Sequence, residues 1–226
     1  MKKILYSILM GGVLLFIPTS CENEVKDLSK VTYYADLQLN GDEFVKLNVG
    51  DTYNEPGYKA TEKGEDITEK VKVNGSVDTQ TSDFYNLVYS VANVDGFSVS
   101  KTRTVMVVDK DNFASAYLGE SKAGTRHYTD APIKITDKGN GTYEISDILG
   151  GLQFYGINAG APVDLQLEAV ITLGSDNKIT LNELGSWYFD GQLTVGLISG
   201  EYDPQTGIVT LSVDYGGTPL SVTLTK

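Results

Sequence analysis

Cysteine, histidine and tryptophan each occur only once in the 226 residues. A single cysteine excludes a disulfide framework within the chain. One histidine beside one cysteine removes nearly all zinc ligand sets and leaves His127 as the lone base for any serine or cysteine triad. Arg126-His127-Tyr128 has no G-x-S-x-G or comparable context, so His127 is assigned no catalytic role. Basic residues are few as well: 18 Lys and Arg stand against 30 Asp and Glu, for a net charge of −12. That acidity argues against nucleic acid as a partner and against electrostatic docking on an anionic membrane. The apolar run Ile4 to Ile17 falls short of the roughly 20 residues a spanning helix needs. What the chain does hold is a globular composition, 41% hydrophobic and 10% aromatic, with 24 glycines.

The apolar run sits behind Lys2-Lys3, the order of an export signal. Pro18-Thr19-Ser20-Cys21 follows. Small residues ahead of the only cysteine resemble the lipobox of bacterial lipoproteins, in which the cysteine becomes the acylated first residue. Pro18 departs from the usual Leu-like residue there, and the Bacteroides versions, which it most resembles, are looser at that place. The resemblance implies a lipoprotein signal peptide over 1–20 and lipidation at Cys21. Several acyl chains make a stable anchor where one alone is marginal. Glu22-Asn23-Glu24-Val25-Lys26-Asp27 is similar to the acidic signal that sends Bacteroidetes lipoproteins to the outer leaflet. Residues 21–30 are therefore expected to be an acidic tether, with the protein lipid-anchored in the outer membrane and facing outward.

From Val31 onward helical periodicity is absent and period-2 alternation recurs, which predicts an all-β protein. Tyr85, Leu87, Tyr89 and Val91 alternate with polar neighbours, run into Asn93-Val94-Asp95-Gly96, and Val99 to Val107 alternates back, a hairpin signal. Phe44-Val45-Lys46-Leu47 and Val71-Lys72-Val73 predict further short strands, punctuated by Gly50-Asp51, Pro56-Gly57 and Asn74-Gly75. Leu39-Asn40-Gly41, Val49 to Tyr53, Glu55 to Ala60, Asp66-Ile67-Thr68, Val77-Asp78-Thr79, Tyr85 to Tyr89 and Arg103 to Asp109 occur in that order. This series resembles the bacterial surface immunoglobulin-like domain related to hyalin repeats. The resemblance covers 31–109 and implies a β-sandwich acting as spacer or adhesion module, without enzyme activity of its own. The paired cysteines and buried Trp of antibody domains are missing, so the likeness is to the sandwich type only.

Asp109-Lys110-Asp111-Asn112 marks the expected boundary, and 113–226 is again strand and turn. Lys134-Ile135-Thr136 and Thr142 to Ile145 flank Asp137 to Gly141. Leu165, Leu167, Ala169, Ile171 and Leu173 alternate, as do Leu193, Val195 and Leu197, then Val209, Leu211, Val213 and Tyr215. About eight strands follow from this pattern, which fits a small antiparallel β-barrel or a curved β-sandwich equally well. Gly141 to Asp147, Gly150-Gly151 and Tyr202-Asp203 to Thr206-Gly207 resemble the domain of unknown function that follows such an immunoglobulin-like module in Bacteroides lipoproteins. Proteins of that kind are similar to accessory members of glycan-uptake systems.

Two aromatic stretches are the candidate ligand-binding sites. In Gly185-Ser186-Trp187-Tyr188-Phe189-Asp190-Gly191, strand alternation would put Trp187 and Phe189 on one face and Tyr188 on the other. Either the pair plugs the core, or it forms a platform for sugar rings with Asp190 and Gln192 beside it. Gly150 to Pro162, carrying Phe154 and Tyr155, reads either as a long barrel connection or as a mobile surface loop able to bind. Hard oxygen donors sit in turns at Asp109, Asp111 and Asn112 and at Asp137 and Asn140. No D-x-D-x-D-G loop surrounds them, and no metal site is assigned. The reading is a non-catalytic surface lipoprotein, without cofactor, that captures polysaccharide or oligosaccharide. The alternatives are a structural or adhesive subunit packing against another outer-membrane transport or surface protein, and a small-ligand barrel or enzyme. The membrane is met through the lipid anchor only.

Overall fold

The computed structural model describes residues 31–226. The expected signal peptide, Cys21 and the tether therefore lie outside the described residues. The first seven strands make two sheets. Strands β1 (Asp36–Leu39), β3 (Tyr58–Glu62) and β4 (Glu65–Asp66) form one, in the order β1-β3-β4; β2 (Phe44–Asn48), β5 (Lys72–Asn74), β6 (Asp83–Ala92) and β7 (Ser98–Val108) form the other, ordered β2-β7-β6-β5. Alternation along β6 turns Leu87, Tyr89 and Val91 inward onto Leu37, Ala60 and Ile67, the core between the sheets. The β6–β7 hairpin falls where the alternation breaks, with Ala92 opposite Ser98. Its turn is organised by Asn93, whose side-chain oxygen accepts from the N–H groups of Asp95 (3.1 Å) and Phe97 (2.7 Å). β2 runs parallel to β7, Phe44 beside Thr104.

The last eight strands build a single antiparallel sheet: β8 (Ala116–Ala123), β9 (Arg126–Gly139), β10 (Thr142–Ile145), β11 (Ala169–Leu173), β12 (Ile179–Leu184), β13 (Val195–Asp203), β14 (Ile208–Tyr215) and β15 (Thr218–Thr225), ordered β12-β11-β10-β9-β8-β15-β14-β13. Its two edges meet through a bridge between Lys178 and Glu201, where the side chains form an ion pair at 2.8 Å and Tyr202 N–H donates to Asn177 at 2.9 Å. The sheet is thus a nearly closed barrel, which decides between the two architectures the pattern left open. Closure leaves few strand edges unpaired.

The barrel is filled by its own chain. The connection from β10 to β11 folds back inside, burying Ile148, Leu149, Leu152, Leu165 and Leu167 among the strand residues. Gly151 (φ +88°) lies so close to β9 that a Cβ there would stand 2.1 Å from the Ala131 Cβ, so only glycine fits. Between β7 and β8, Ser82 Oγ donates to Val107 O (2.8 Å) and accepts from Ala116 N–H (2.9 Å), while Asp83 pairs with Lys134. Met106 and Val108 of β7 pack with Ala116 of β8 against Phe84 and Leu118.

Candidate functional site

The Trp187 segment is a turn between β12 and β13, not a strand. Trp187 is buried at 8% exposure among the barrel core, and its Nε1–H donates to Leu165 O at 3.0 Å. A ring so placed is unavailable as a platform, so the expectation that Trp187 could present its face outward is corrected. Phe189 is half-buried beside it in an edge-to-face contact at 5.0 Å. Tyr188, at 61% exposure, is the aromatic that faces out. Asp190 is spent on the turn itself: its carboxylate accepts from Trp187 N–H at 3.0 Å. Gln192 is exposed and gives its own N–H to Phe189 O (2.9 Å). The turn therefore holds Tyr188 on a rigid, core-anchored base.

The stretch from Gly150 to Pro162 is part of the connection from β10 to β11, and in place of a mobile loop it contains a π-helical turn, Leu152–Ile157, packed on β9 through Ala131 and Tyr128. Its anchoring is specific. Asp147 is fully buried, and its carboxylate accepts from the N–H groups of Leu149 (3.0 Å), Gly151 (3.0 Å) and Leu167 (3.2 Å). Burial pushes its pKa up to about 6, against the opposing pull of these three hydrogen bonds. Gln153 is buried and donates to the Tyr215 hydroxyl, while Asn158 Nδ2 donates to Gln153 Oε1 at 2.6 Å. Gly156 lies against the Tyr128 ring. What this base presents is Tyr155, 38% exposed, in edge-to-face contact with the half-buried Phe154 at 5.0 Å. Burial and the nearby carboxylates of Asp147 and Asp164 raise the Tyr155 pKa.

Both aromatic turns rest on one stretch of chain. Leu165 O receives the Trp187 indole, Leu167 N–H reaches Asp147, and Glu168 O receives Gly185 N–H at 2.8 Å. Hydrogen bonding thus ties together two motifs more than 30 residues apart in sequence. His127 is exposed and pairs with Glu120 at 2.8 Å. Asp109, Asn112 and Asp137 each accept a backbone N–H two residues on, the geometry of ordinary turns.

A second polar cluster went unread in the sequence. Arg103, fully buried on β7, gives Nε to Asp42 O (3.0 Å), one terminal nitrogen to Asn40 O, and the other to Glu55 and to the Tyr89 hydroxyl (3.3 Å). Glu55 also accepts from Tyr53 OH (2.5 Å), Tyr89 OH (2.6 Å) and Gly57 N–H (2.9 Å). Burial would raise the Glu55 pKa, but these donors outweigh it and bring it down to about 2. The signal was present: Arg103 shares strand parity with the inward Val105 and Val107, and a charge on an inward position demands a partner.

Residues 37–107 match the family model described as a bacterial surface protein immunoglobulin-like domain. A second model, for a C-terminal domain, matches residues 107–226. The crystal structure of the lipoprotein BT2262 from Bacteroides thetaiotaomicron is similar over 85% of this chain and 100% of its own, at 32% identity and a TM-score of 0.61. The chain belongs to the family of that lipoprotein. Two solved structures from Clostridium perfringens ZmpB lie much further off. One holds CBM51-2 in complex with GlcNAc and INT domains (14% identity, TM-score 0.28, 84% of this chain and 44% of that one). The other holds the M60 catalytic domain with CBM51-1 and CBM51-2 (15%, 0.29, 86% and 21%). Scores this low carry no argument. No curated protein matches the chain. Among the described residues no helix is long and apolar enough to cross a membrane.

Proposed function

We propose that this lipoprotein is a non-catalytic accessory protein of the outer-membrane surface that captures extracellular glycan. Residues 1–20 are its signal peptide, Cys21 its acylated residue and 21–30 its tether. Residues 31–109 act as a standoff module, and 113–226 present the binding surface. The observation that carries the reading is the pair of exposed tyrosines, Tyr155 and Tyr188, each on a turn locked to the same stretch, Leu165 to Glu168. Flat rings held rigid before binding suit the apolar C–H faces of sugars, because little side-chain freedom is lost on association. Asp164, close enough to Tyr155 to raise its pKa, and Gln192, exposed in the Tyr188 turn, supply polar neighbours for hydroxyl groups. Lipoprotein kinship supports the anchor, and an anchor supports capture at the surface.

Affinity electrophoresis against a panel of neutral and acidic polysaccharides tests this. Retardation by one polysaccharide is expected, reduced at least several-fold in Tyr155→Ala or Tyr188→Ala. Unchanged migration across the panel would move the assignment to a structural subunit docking on another outer-membrane protein.

A further inference from the structure

The Glu55–Arg103 cluster borders a cavity of about 540 Å3 in the first half of the chain, between Gly50–Tyr58 and Val73–Gln80, with Leu87 and Tyr89 behind it. This volume lies within the range of small-molecule sites. From its lining we infer a second ligand site, one that takes a neutral hydroxylated ring such as a hexose. It is separate from the tyrosine turns of the barrel and does not rest on them.

The charge arrangement selects the ligand. Arg103 sits behind the cavity wall with its donors committed to Asp42, Asn40, Glu55 and Tyr89, so it offers an incoming anion nothing. Glu55 receives four donors, which fills the lone-pair sites of a carboxylate, and its charge is matched by Arg103. A cation entering the cavity would meet no unpaired carboxylate in this cluster; the other carboxylate on the lining, Asp51, is exposed to water and already accepts from the N–H (2.8 Å) and side-chain amide (3.2 Å) of Asn48, so pairing with it would gain a cation little. What remains on the lining is neutral hydrogen-bonding groups, the Thr52, Ser76 and Thr79 hydroxyls and the Gln80 amide, which can both donate and accept. The Tyr53 hydroxyl, on the lining, gives its hydrogen to Glu55, so toward a ligand it can only accept. Thr79 and Gln80 lie on the lining, and the wall between is apolar and aromatic: Val73, Val77 and Tyr58. The Tyr58 ring is held by Tyr89, centroids 5.2 Å apart. A ligand whose hydroxyls both donate and accept and which lays a C–H face on a ring matches this lining, whereas a carboxylate or phosphate would face the charge of Asp51 with no Lys or Arg on the lining to offset it. A brace between strands would explain the ion pair alone, but not an open cavity lined by rings beside it.

Saturation-transfer NMR on the full chain in detergent tests the site. The probes are D-glucose, D-galactose, N-acetyl-D-glucosamine and cellobiose, with D-glucuronate and D-glucosamine as the charged comparisons. At least one neutral sugar is expected to bind in preference to both charged ones. Val73→Trp, at an exposed position where no buried atom is removed, should fill the mouth and weaken binding at least tenfold. Tyr53→Phe, which keeps the ring and removes the accepting oxygen, should weaken it several-fold. Tyr155→Ala should leave unchanged the share of this binding that Val73→Trp removes. Three results would overturn the site: no neutral sugar binding, preference for a charged sugar, or binding that survives Val73→Trp. Binding that survives Val73→Trp but disappears in Tyr155→Ala would refute the cavity and uphold the barrel surface, and the converse would do the reverse.

Discussion

Asp147 is a carboxylate without a cation, sealed inside the barrel plug and held only by backbone N–H groups. Its pKa rises from 3.8 to about 6 on folding because burial penalises the charge more than the three hydrogen bonds reward it. The sign follows from linkage: the contribution is fully present below the unfolded value and is lost as pH rises through about 6. A shift of roughly two units corresponds to about 3 kcal/mol. Asp147→Asn removes the charge and keeps the shape, and its side-chain oxygen can still accept from Leu149 and Leu167. Its amide meets Gly151 N–H donor to donor, which costs about 1–3 kcal/mol. The variant should therefore be clearly less stable than wild type at pH 4 and close to it at pH 7. The difference between the two should shift by about 3 kcal/mol over that interval. Urea unfolding read by tryptophan fluorescence suits the purpose, since Trp187 is the only tryptophan and reports on the barrel alone. A difference that stays constant from pH 4 to 7 would refute the reasoning, because Asp147 would then titrate as it does in the unfolded chain.

Trp187→Ala should cost about 3–5 kcal/mol in thermal or urea unfolding, whereas Tyr188→Ala next to it should stay within about 0.5 kcal/mol. Glu55→Ala should destabilise by about 3–5 kcal/mol, since it strands a buried guanidinium. With Glu55 held near 2, the stability it lends is present above its ordinary pKa and is lost as pH falls through 2, so acid unfolding of the wild type should begin below about pH 4 in the first half of the chain. Gly151→Ala should cost about 3 kcal/mol or more through positive φ and the clash with Ala131, which a shifted unfolding midpoint would report.

Tertiary structure corrected the sequence reading where side chains did not alternate in the expected way. Strand β8 went unnamed because its inward positions, Tyr117, Gly119, Ser121 and Ala123, include small and polar residues; the barrel interior is already occupied there, with Gly150 O only 3.0 Å from where a Gly119 Cβ would stand. Leu165 and Leu167 alternate like a strand and are buried like one, yet their backbone serves the plug, and β11 begins at Ala169. A turn, not a strand, carries Trp187, so parity could not decide its direction; the hydrogen bond to Leu165 O did.

The motif series of the first half carried the resemblance to an immunoglobulin-like domain, and the sequence alone was enough for the all-β class, the hairpin at Asn93 to Gly96 and the aromatic content of the two turns. Those properties are local: period-2 burial, turn chemistry and composition act over a few residues. Barrel closure by Lys178 and Glu201, the parallel pairing of β2 with β7, the plug held by Asp147, and the meeting of Glu55 with Arg103 were decided only in three dimensions. Each joins groups distant in the chain, and their partnership depends on burial and geometry that no single segment encodes.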